Sequence, residues 1–362
     1  MSVELSRRFA RVERFALWIG AFALVVAGAL AWLAPSLLAA AWRLAAFVCL
    51  APALGSLLFL LIHRLTGGQW GAALTPFFNA GVALLPWIWL ITLPLLLFPG
   101  RALPQPPEEL HLYTSEGFYL VRAIVYGLVF FALGGLVRSV QRRRAAGDRV
   151  SRRWVAPAGL LALLFLLHLL ADDWLRVLDP EWHSTAFPLV WMTGVAVAGL
   201  ALAIVGALFA GAVPGAAGHN GRALGLDWGN LLLAAAMVWT YVAFAQFLII
   251  WAGNLPREIG WYLRRTEGGW LGVIVALGLF HFALPFLFLL SRRFKRWPAG
   301  LGGAALTLLA AQWLFHAWLI LPAFAPWSPL AGALAVALSL GAVGLFLNRY
   351  LALARRTERV AS

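Results

Sequence analysis

A small set of side chains in this sequence could carry protons or meet a redox-active lipid. The densest group is His168, Asp172, Asp173, Trp174 and Arg176, followed by Asp179-Pro180-Glu181-Trp182-His183-Ser184-Thr185. On a helix His168 and Asp172 stand four residues apart and share a face. An imidazole beside a carboxylate can pass protons to or from water or a quinol. The same pair could instead be a hydrogen-bonded brace for the 176–185 loop. Gln246, His281 and His316 lie deeper in apolar sequence, where an ionisable group costs about 2.5–3.5 kcal/mol on insertion scales and needs a reason. With His168, Asp172 and Asp173 they form a candidate proton path or quinol-proximal set. Arg122 is expected to snorkel toward the nearer membrane surface. Asp227 and Asn230 are expected to cap a helix start.

A second group reads as a partner-docking outer loop: Asp179, Trp182 and His183, with Asn254, Glu258, Trp261 and Arg265 from the stretch 253–265. That stretch has the pattern of an amphipathic interfacial segment, with Trp261 and Tyr262 suited to the headgroup belt. The sequence predicts no catalytic residue and no metal ligand set. The single cysteine, Cys49, excludes an iron–sulfur cluster and covalent haem attachment and reads as a packing residue. His168, His281 and His316 fall on separate helices, a poor pattern for the facing pairs that hold haem b. No cofactor is therefore expected on this chain.

The elements that must position these residues are membrane helices. The chain has 362 residues, 63% apolar and 12% charged, against about 45–50% and 25% in soluble domains. Its apolar runs are continuous blocks of about 20 residues, the length a helix needs to cross hydrocarbon. Ten spans are predicted, near 16–35, 42–63, 73–98, 115–138, 154–175, 186–212, 228–251, 268–290, 301–321 and 330–350. The first is read as an uncleaved span in preference to a signal peptide. Of 28 Lys and Arg, 21 fall in the termini and the loops on their side, which predicts cytoplasmic termini by the positive-inside rule. The net charge of +14 is thus a topology signal, with no soluble domain to present it to nucleic acid.

A shift of 151 residues lays the fourth span on the eighth. Glu116, Gly117, Leu120, Gly127, Leu128, Phe131, Ala132, Leu133 and Leu136 meet Glu267, Gly268, Leu271, Gly278, Leu279, Phe282, Ala283, Leu284 and Leu287. An even number of spans separates the copies, so the repeat is parallel. The predicted architecture is an all-α, single membrane domain over 1–362. It holds two four-helix bundles, 42–175 (spans 2–5) and 186–321 (spans 6–9), flanked by spans 1 and 10. Parallel repeats also build transporters, although no span shows a Gly/Pro-broken centre with a flanking ion-binding set.

Several short motifs occur in order between about residues 60 and 300. They are His63-x-x-Thr66-Gly67-Gly68-x-Trp70-Gly71, Asp173-Trp174, Asp179-Pro180-x-Trp182-x-Ser184-Thr185, Asn254-x-Pro256, Trp261-Tyr262-x-x-Arg265, His281-Phe282-x-x-Pro285-Phe286 and Leu290-Ser291-Arg292 through Lys295-Arg296. As a set they resemble the ActF-type membrane subunit of bacterial alternative complex III, in the NrfD-like (polysulfide reductase membrane subunit) superfamily. The resemblance implies ten spans with two related four-helix bundles in the bacterial inner membrane. It implies a subunit of a quinol:cytochrome c oxidoreductase, a scaffold and proton half-channel with no redox centre of its own. Implied partners are periplasmic haem and iron–sulfur subunits and a sister NrfD-like subunit that holds the main quinol site. Asp173, His281 and Arg265 are the ionisable positions that match the motifs. His183, Glu181 and Arg257 depart from an expected aromatic, histidine and acid, which bears on the chemistry of the outer loop.

Overall fold

The computed structural model describes residues 3–97, 113, 115–145, 154–180, 182–216 and 223–361. Glu181 and the basic residues Arg149, Arg152 and Arg153 of the predicted cytoplasmic loop lie outside them. The protein is 89% helical, with no strand among the described residues. Among the described residues ten helices are long and apolar enough to cross a membrane: Glu4–Leu33, Pro35–Thr66, Gln69–Leu95, Glu116–Arg143, Val155–Leu178, Phe187–Phe209, Leu224–Gly253, Trp270–Leu290, Pro298–Ala323 and Pro329–Arg356. They are numbered spans 1–10. Most run several residues past the predicted edges, because helical hydrogen bonding continues into the polar flanks where hydropathy has already fallen. Ten crossings place both termini at one face; the other is called the distal face.

Span 2 is the hub. Its apolar window is 89% buried, against 17% for span 1. It packs against spans 3, 5, 6, 9 and 10. Around it, spans 2–5 form a ring in which 2 touches 3 and 5, and 4 touches 3 and 5. Spans 6–9 form a second ring of the same pattern, 6 on 7 and 9, and 8 on 7 and 9. Spans 1 and 10 pack along one another, and span 10 seals the seam over spans 2 and 3.

In hydrocarbon, helices associate by close packing and not by exclusion of water, so small residues mark the tight crossings. The tightest joins span 2 to span 6. A Cβ on Gly55 would fall 2.8 Å from the Gly199 backbone, and one on Gly199 would meet the Gly55 backbone in return. Spans 1 and 10 cross likewise, with a Gly20 Cβ position 3.1 Å from the Gly341 carbonyl oxygen.

Two spans are interrupted. Span 3 consists of helices Gln69–Ala83 and Leu85–Leu97, with Leu84 between them and Pro86 opening the second. Span 8 contains a π-helical turn at Gly278–Ala283. Its cause is Pro285, which has no N–H to offer the His281 carbonyl one turn back. Both interruptions fall at prolines of the sequence, and among the described residues neither is flanked by a group of His, Cys, Asp or Glu placed to hold a metal ion.

The His63–Gly71 motif is a turn between spans 2 and 3. Gly67 and Gly68 have φ of 67° and 96°, and the Gly67 N–H donates to the His63 carbonyl at 2.7 Å. The His63 ring lies over Gly71, where a Cβ would collide with it, and edge-on to Trp70 at 5.3 Å. Asp227 and Asn230 do not cap span 7, which starts without a side-chain cap. Asn230 instead accepts from Lys295 Nζ at 2.5 Å, tying span 7 to the 292–296 turn.

Gly199→Val should lower stability by at least the ~1–3 kcal/mol typical of overpacking. Gly28→Ala, with open space around its Cβ position, should be neutral. Thermal unfolding of both variants in one detergent checks this, and equal melting temperatures would remove the span 2–span 6 crossing from its central place.

Candidate functional site

A cleft of about 490 Å³ opens at the distal end of spans 5 and 7. His168, Asp172, Arg176, His183, Gln246 and Glu258 line it. His168, Asp172 and Arg176 come from span 5 and Gln246 from span 7, His183 from the loop after span 5 and Glu258 from the Pro256–Arg264 helix, so the cleft gathers residues from both groups singled out in the sequence. His168 Nε2 lies 3.7 Å from Asp172 Oδ2, and Arg176 Nε donates to Asp172 Oδ1 at 2.7 Å. This is the i, i+4 pairing the sequence predicts, with the Arg176 charge holding the carboxylate in place. Gln246 is buried; its Nε2 donates to the Tyr262 hydroxyl at 3.1 Å, and its Oε1 has no protein partner. An imidazole, a carboxylate beside it and an unspent amide behind it can take a proton from the distal face inward.

Asp173 points elsewhere. It is buried and accepts from the Tyr113 hydroxyl at 2.7 Å, the Tyr126 hydroxyl at 2.5 Å and Arg122 Nε at 2.7 Å. Arg122 also donates to the Tyr113 carbonyl at 2.6 Å, with its guanidinium carbon 3.8 Å from the Tyr113 ring centre. Burial pushes the Tyr113 phenol up to about 12, and the Asp173 hydrogen bond adds to it. A carboxylate with three donors is a clamp between spans 4 and 5. Arg122 therefore does not snorkel; it is the counter-ion of Asp173. Nearby, buried Arg43 donates to the Trp174 carbonyl at 3.2 Å.

Asp179 makes a second clamp. It accepts from Arg265 at 2.8 Å and from Arg264. Arg265 also donates to the Leu319 carbonyl at 2.9 Å and lies 3.8 Å over the Trp261 ring. Trp261 stacks on Trp182 at 4.3 Å, and Trp318 Nε1 donates to the Arg265 carbonyl. Burial pushes the Arg265 guanidinium down to about 10 despite Asp179, still charged at neutral pH. The predicted docking loop is thus largely inward-facing. Asp179, Trp182, Trp261 and Arg265 are buried, while His183 and Asn254 are exposed and Glu258 half-buried. The Pro256–Arg264 helix turns its Trp261 and Tyr262 into the protein, away from the headgroups. Asn254 ends span 7 in the left-handed conformation, φ 47°, a role asparagine tolerates.

His281 and His316 lie outside the cleft, in a buried row through the second ring. Trp239 stacks on His281, ring centres 3.7 Å apart. Gln312 Nε2 donates to His281 Nε2 at 2.6 Å. His316 Nδ1 donates to the Gln312 carbonyl at 2.7 Å, and His316 Nε2 accepts from Trp191 Nε1 at 3.1 Å. Those two bonds fix the neutral Nδ1–H form of His316 and leave neither nitrogen for iron. Trp239 Nε1, His281 Nδ1 and Gln312 Oε1 are buried with no protein partner. Trp239 lies seven residues from Gln246 on the same face of span 7, about 10 Å deeper.

Gln312 is the residue sequence reasoning missed, although its signal was present: an amide four residues before His316 in an apolar span. Tyr113 and Tyr126 carry no comparable signal. Among the described residues no group of three His, Cys, Asp or Glu is placed to hold a metal ion. No family model matches the chain, and no curated protein matches it.

Asp179→Asn removes the counter-charge of a fully buried cation and should cost about 3–5 kcal/mol. Arg264→Gln, half exposed, should cost under about 1 kcal/mol. Chemical or thermal unfolding of the two variants checks the ordering, and a mild Asp179→Asn would demote the clamp.

Proposed function

We propose that this chain is the ActF-like membrane subunit of a quinol:cytochrome c oxidoreductase complex, serving as scaffold and as a proton half-channel entered from the distal cleft. The observation that carries the half-channel is the line of buried, unsatisfied polar atoms that begins behind the cleft at Gln246 Oε1 and continues through Trp239 Nε1, His281 Nδ1 and Gln312 Oε1. Native interiors satisfy such atoms, and ordered water is the usual means where protein does not. Water along this line would join His168 and Asp172 to the middle of the bilayer.

The resemblance of the His63–Arg296 motifs supports the complex. In this reading the chain lies in the bacterial inner membrane with cytoplasmic termini. It holds no redox centre, and haem and iron–sulfur groups belong to periplasmic partner subunits, beside a sister NrfD-like subunit with the main quinol site. Asn254 is exposed on the surface those partners would meet, whereas Asp179, Trp182, Trp261 and Arg265 hold that surface in shape from behind. Asp173 leaves the proton path and joins the scaffold.

The interrupted spans 3 and 8 favour one other reading, a secondary transporter, since broken helices bracket transporter sites. Proteoliposome flux with the isolated chain separates the two.

The tagged chain, taken from its native membrane in mild detergent, should bring cytochrome c and iron–sulfur subunits and a haem signal in the reduced-minus-oxidised spectrum. A solitary, colourless protein would overturn the complex. Within an assembled complex, His168→Ala combined with Asp172→Asn should lower proton release per quinol while leaving assembly and electron transfer to the acceptor above half. His316→Phe should affect stability alone. Unchanged proton release in the double variant would leave the cleft without its function.

A further inference from the structure

Away from the cleft, spans 2, 6, 9 and 10 enclose a second cavity, also about 490 Å³. Span 10 packs on spans 1, 2 and 3, and span 9 on spans 2, 6, 7 and 8, which leaves a slot between the two. Exposed Leu306, Val336 and Leu340 mark where it opens to lipid. The slot follows the helices, from Leu306 to His316 on span 9 and from Leu347 to Val336 on span 10, a length of roughly 16 Å by helical rise. The volume spread over that length leaves a cross-section of roughly 30 Å², which admits one polymethylene chain and not two. The wall is apolar. Ser339 Oγ and Gln312 Oε1 are buried and present no surface to it, His316 spends both ring nitrogens within the protein, and no Lys or Arg lines it.

The two ends of the slot differ in charge. At the end nearer the termini Val205 of span 6 lines the cavity, and Phe209 stands one turn beyond it on the same face. The Phe209 ring carries Arg8, whose guanidinium carbon lies 4.9 Å from the ring centre, and meets Phe9 edge-on. Span 10 gives the same level independently. Asn348 donates to the Glu13 carbonyl, and spans 1 and 10 run antiparallel, so Arg8 lies level with Leu353, about 9 Å past Leu347. Arg8 is exposed, as are Arg7, Arg11 and Arg14 of the same helix. Among the described residues no acid pairs with Arg8, and Glu13 is taken by Arg355. At the distal end Arg43 of span 2 is buried and donates to the Trp174 carbonyl.

We infer that the slot holds one acyl tail of an acidic phospholipid, drawn from the leaflet on the face of the termini, with its phosphate on Arg8. An apolar void open to hydrocarbon is filled by the chains around it, because an empty one forfeits packing contacts. The width admits a single tail, and the second tail stays in the bilayer outside the mouth at Leu306 and Leu340. The gap between Leu347 and Arg8 takes the ester and glycerol groups that join tail to phosphate. An acidic head is favoured over a zwitterionic one because four exposed arginines stand on the first turns of span 1 against one exposed acid, Glu4. The distal leaflet offers no such exposed cation beside the slot on span 2, where Arg43 is turned inward. The site needs the membrane alone and stands with or without a partner complex.

The experiment is photolysis and peptide mapping of the full chain in phosphatidylcholine nanodiscs that carry a trace of diazirine-tailed phosphatidylglycerol or diazirine-tailed phosphatidylcholine. Label from phosphatidylglycerol should concentrate on residues 306–316 and 336–347, above its level on the exposed face of span 7. There it should exceed the phosphatidylcholine label about fivefold, the worth of one arginine at an acidic head. Arg8→Gln should bring the two heads to equal labelling, whereas Arg349→Gln, whose side chain lies over Trp87, should leave the preference unchanged. Leu340→Trp at the mouth should remove the slot label and spare that on span 7, with melting temperature unchanged. Even labelling of slot and span 7, equal labelling by the two heads in the parent chain, insensitivity to Arg8→Gln or Leu340→Trp, an equal loss in Arg349→Gln, or competition by oleate as strong as by unlabelled phosphatidylglycerol would each overturn the site.

Discussion

Hydrocarbon offers no hydrogen bonds, and the arrangement of this protein follows from where its polar groups find them. The two buried aspartates at the distal face show the consequence most directly. Asp173 gathers Tyr113, Tyr126 and Arg122, and Asp179 gathers Arg264 and Arg265. Each is a carboxylate surrounded by donors from elements far apart in sequence. Each converts the cost of a buried charge into a tie between two elements: spans 4 and 5 in one case, and the 176–185 loop, the Pro256–Arg264 helix and span 9 in the other. Such ties are stable only when complete, because losing one partner strands the other. That is why the distal loops are ordered around Trp182, Trp261 and Trp318 instead of lying on the membrane surface as an amphipathic strip.

The same rule separates the polar residues by role. His168 and Asp172 meet at 3.7 Å, too far for a committed hydrogen bond, beside a cleft with room for water. Asp173, one residue further on, turns away by about 100° and is fully committed. Adjacent acids therefore meet different surroundings, Asp172 the cleft and Arg176, Asp173 the buried donors of span 4, and the helical period decides which is which. His316 is locked by two bonds, while His281 is bonded on one nitrogen only.

The sequence carried the helical architecture strongly. Blocks of about 20 apolar residues leave few alternatives, and ten helices stand where ten were expected. The i, i+4 pair of His168 and Asp172 was legible for the same reason, since both residues lie on one helix. What crosses between helices was not legible. Arg122 reads as a snorkelling side chain until Asp173 is seen 51 residues away, and Asp179 reads as a docking residue until Arg265 is seen 86 residues away. Local spacing fixes which residues share a face and is silent about which faces meet. Trp261 and Tyr262 failed for a related reason: amphipathic periodicity shows that a face is apolar, without telling protein from lipid on its far side.

The internal shift of 151 positions gives an argument about the buried row that neither ring gives alone. Gln246, Trp239, His281, Gln312 and His316 of the second copy align with Leu95, Ile88, Phe130, Leu161 and Phe165 of the first. Both copies make the same ring of helix neighbours. Leu95, Ile88 and Phe130 are buried in the first ring, so a ring of this kind can be packed with apolar side chains at those three positions, whereas Leu161 and Phe165 lie exposed on its outside. Stability does not account for Gln246, Trp239 and His281 appearing together in the second copy, each with a buried polar atom that has no protein partner. The first copy acts as the structural control for the second: what differs between them at equal depth is what the architecture does not need. That difference starts behind the cleft at Gln246 and runs through Trp239 to His281, a polar line at positions the first copy fills with buried apolar side chains.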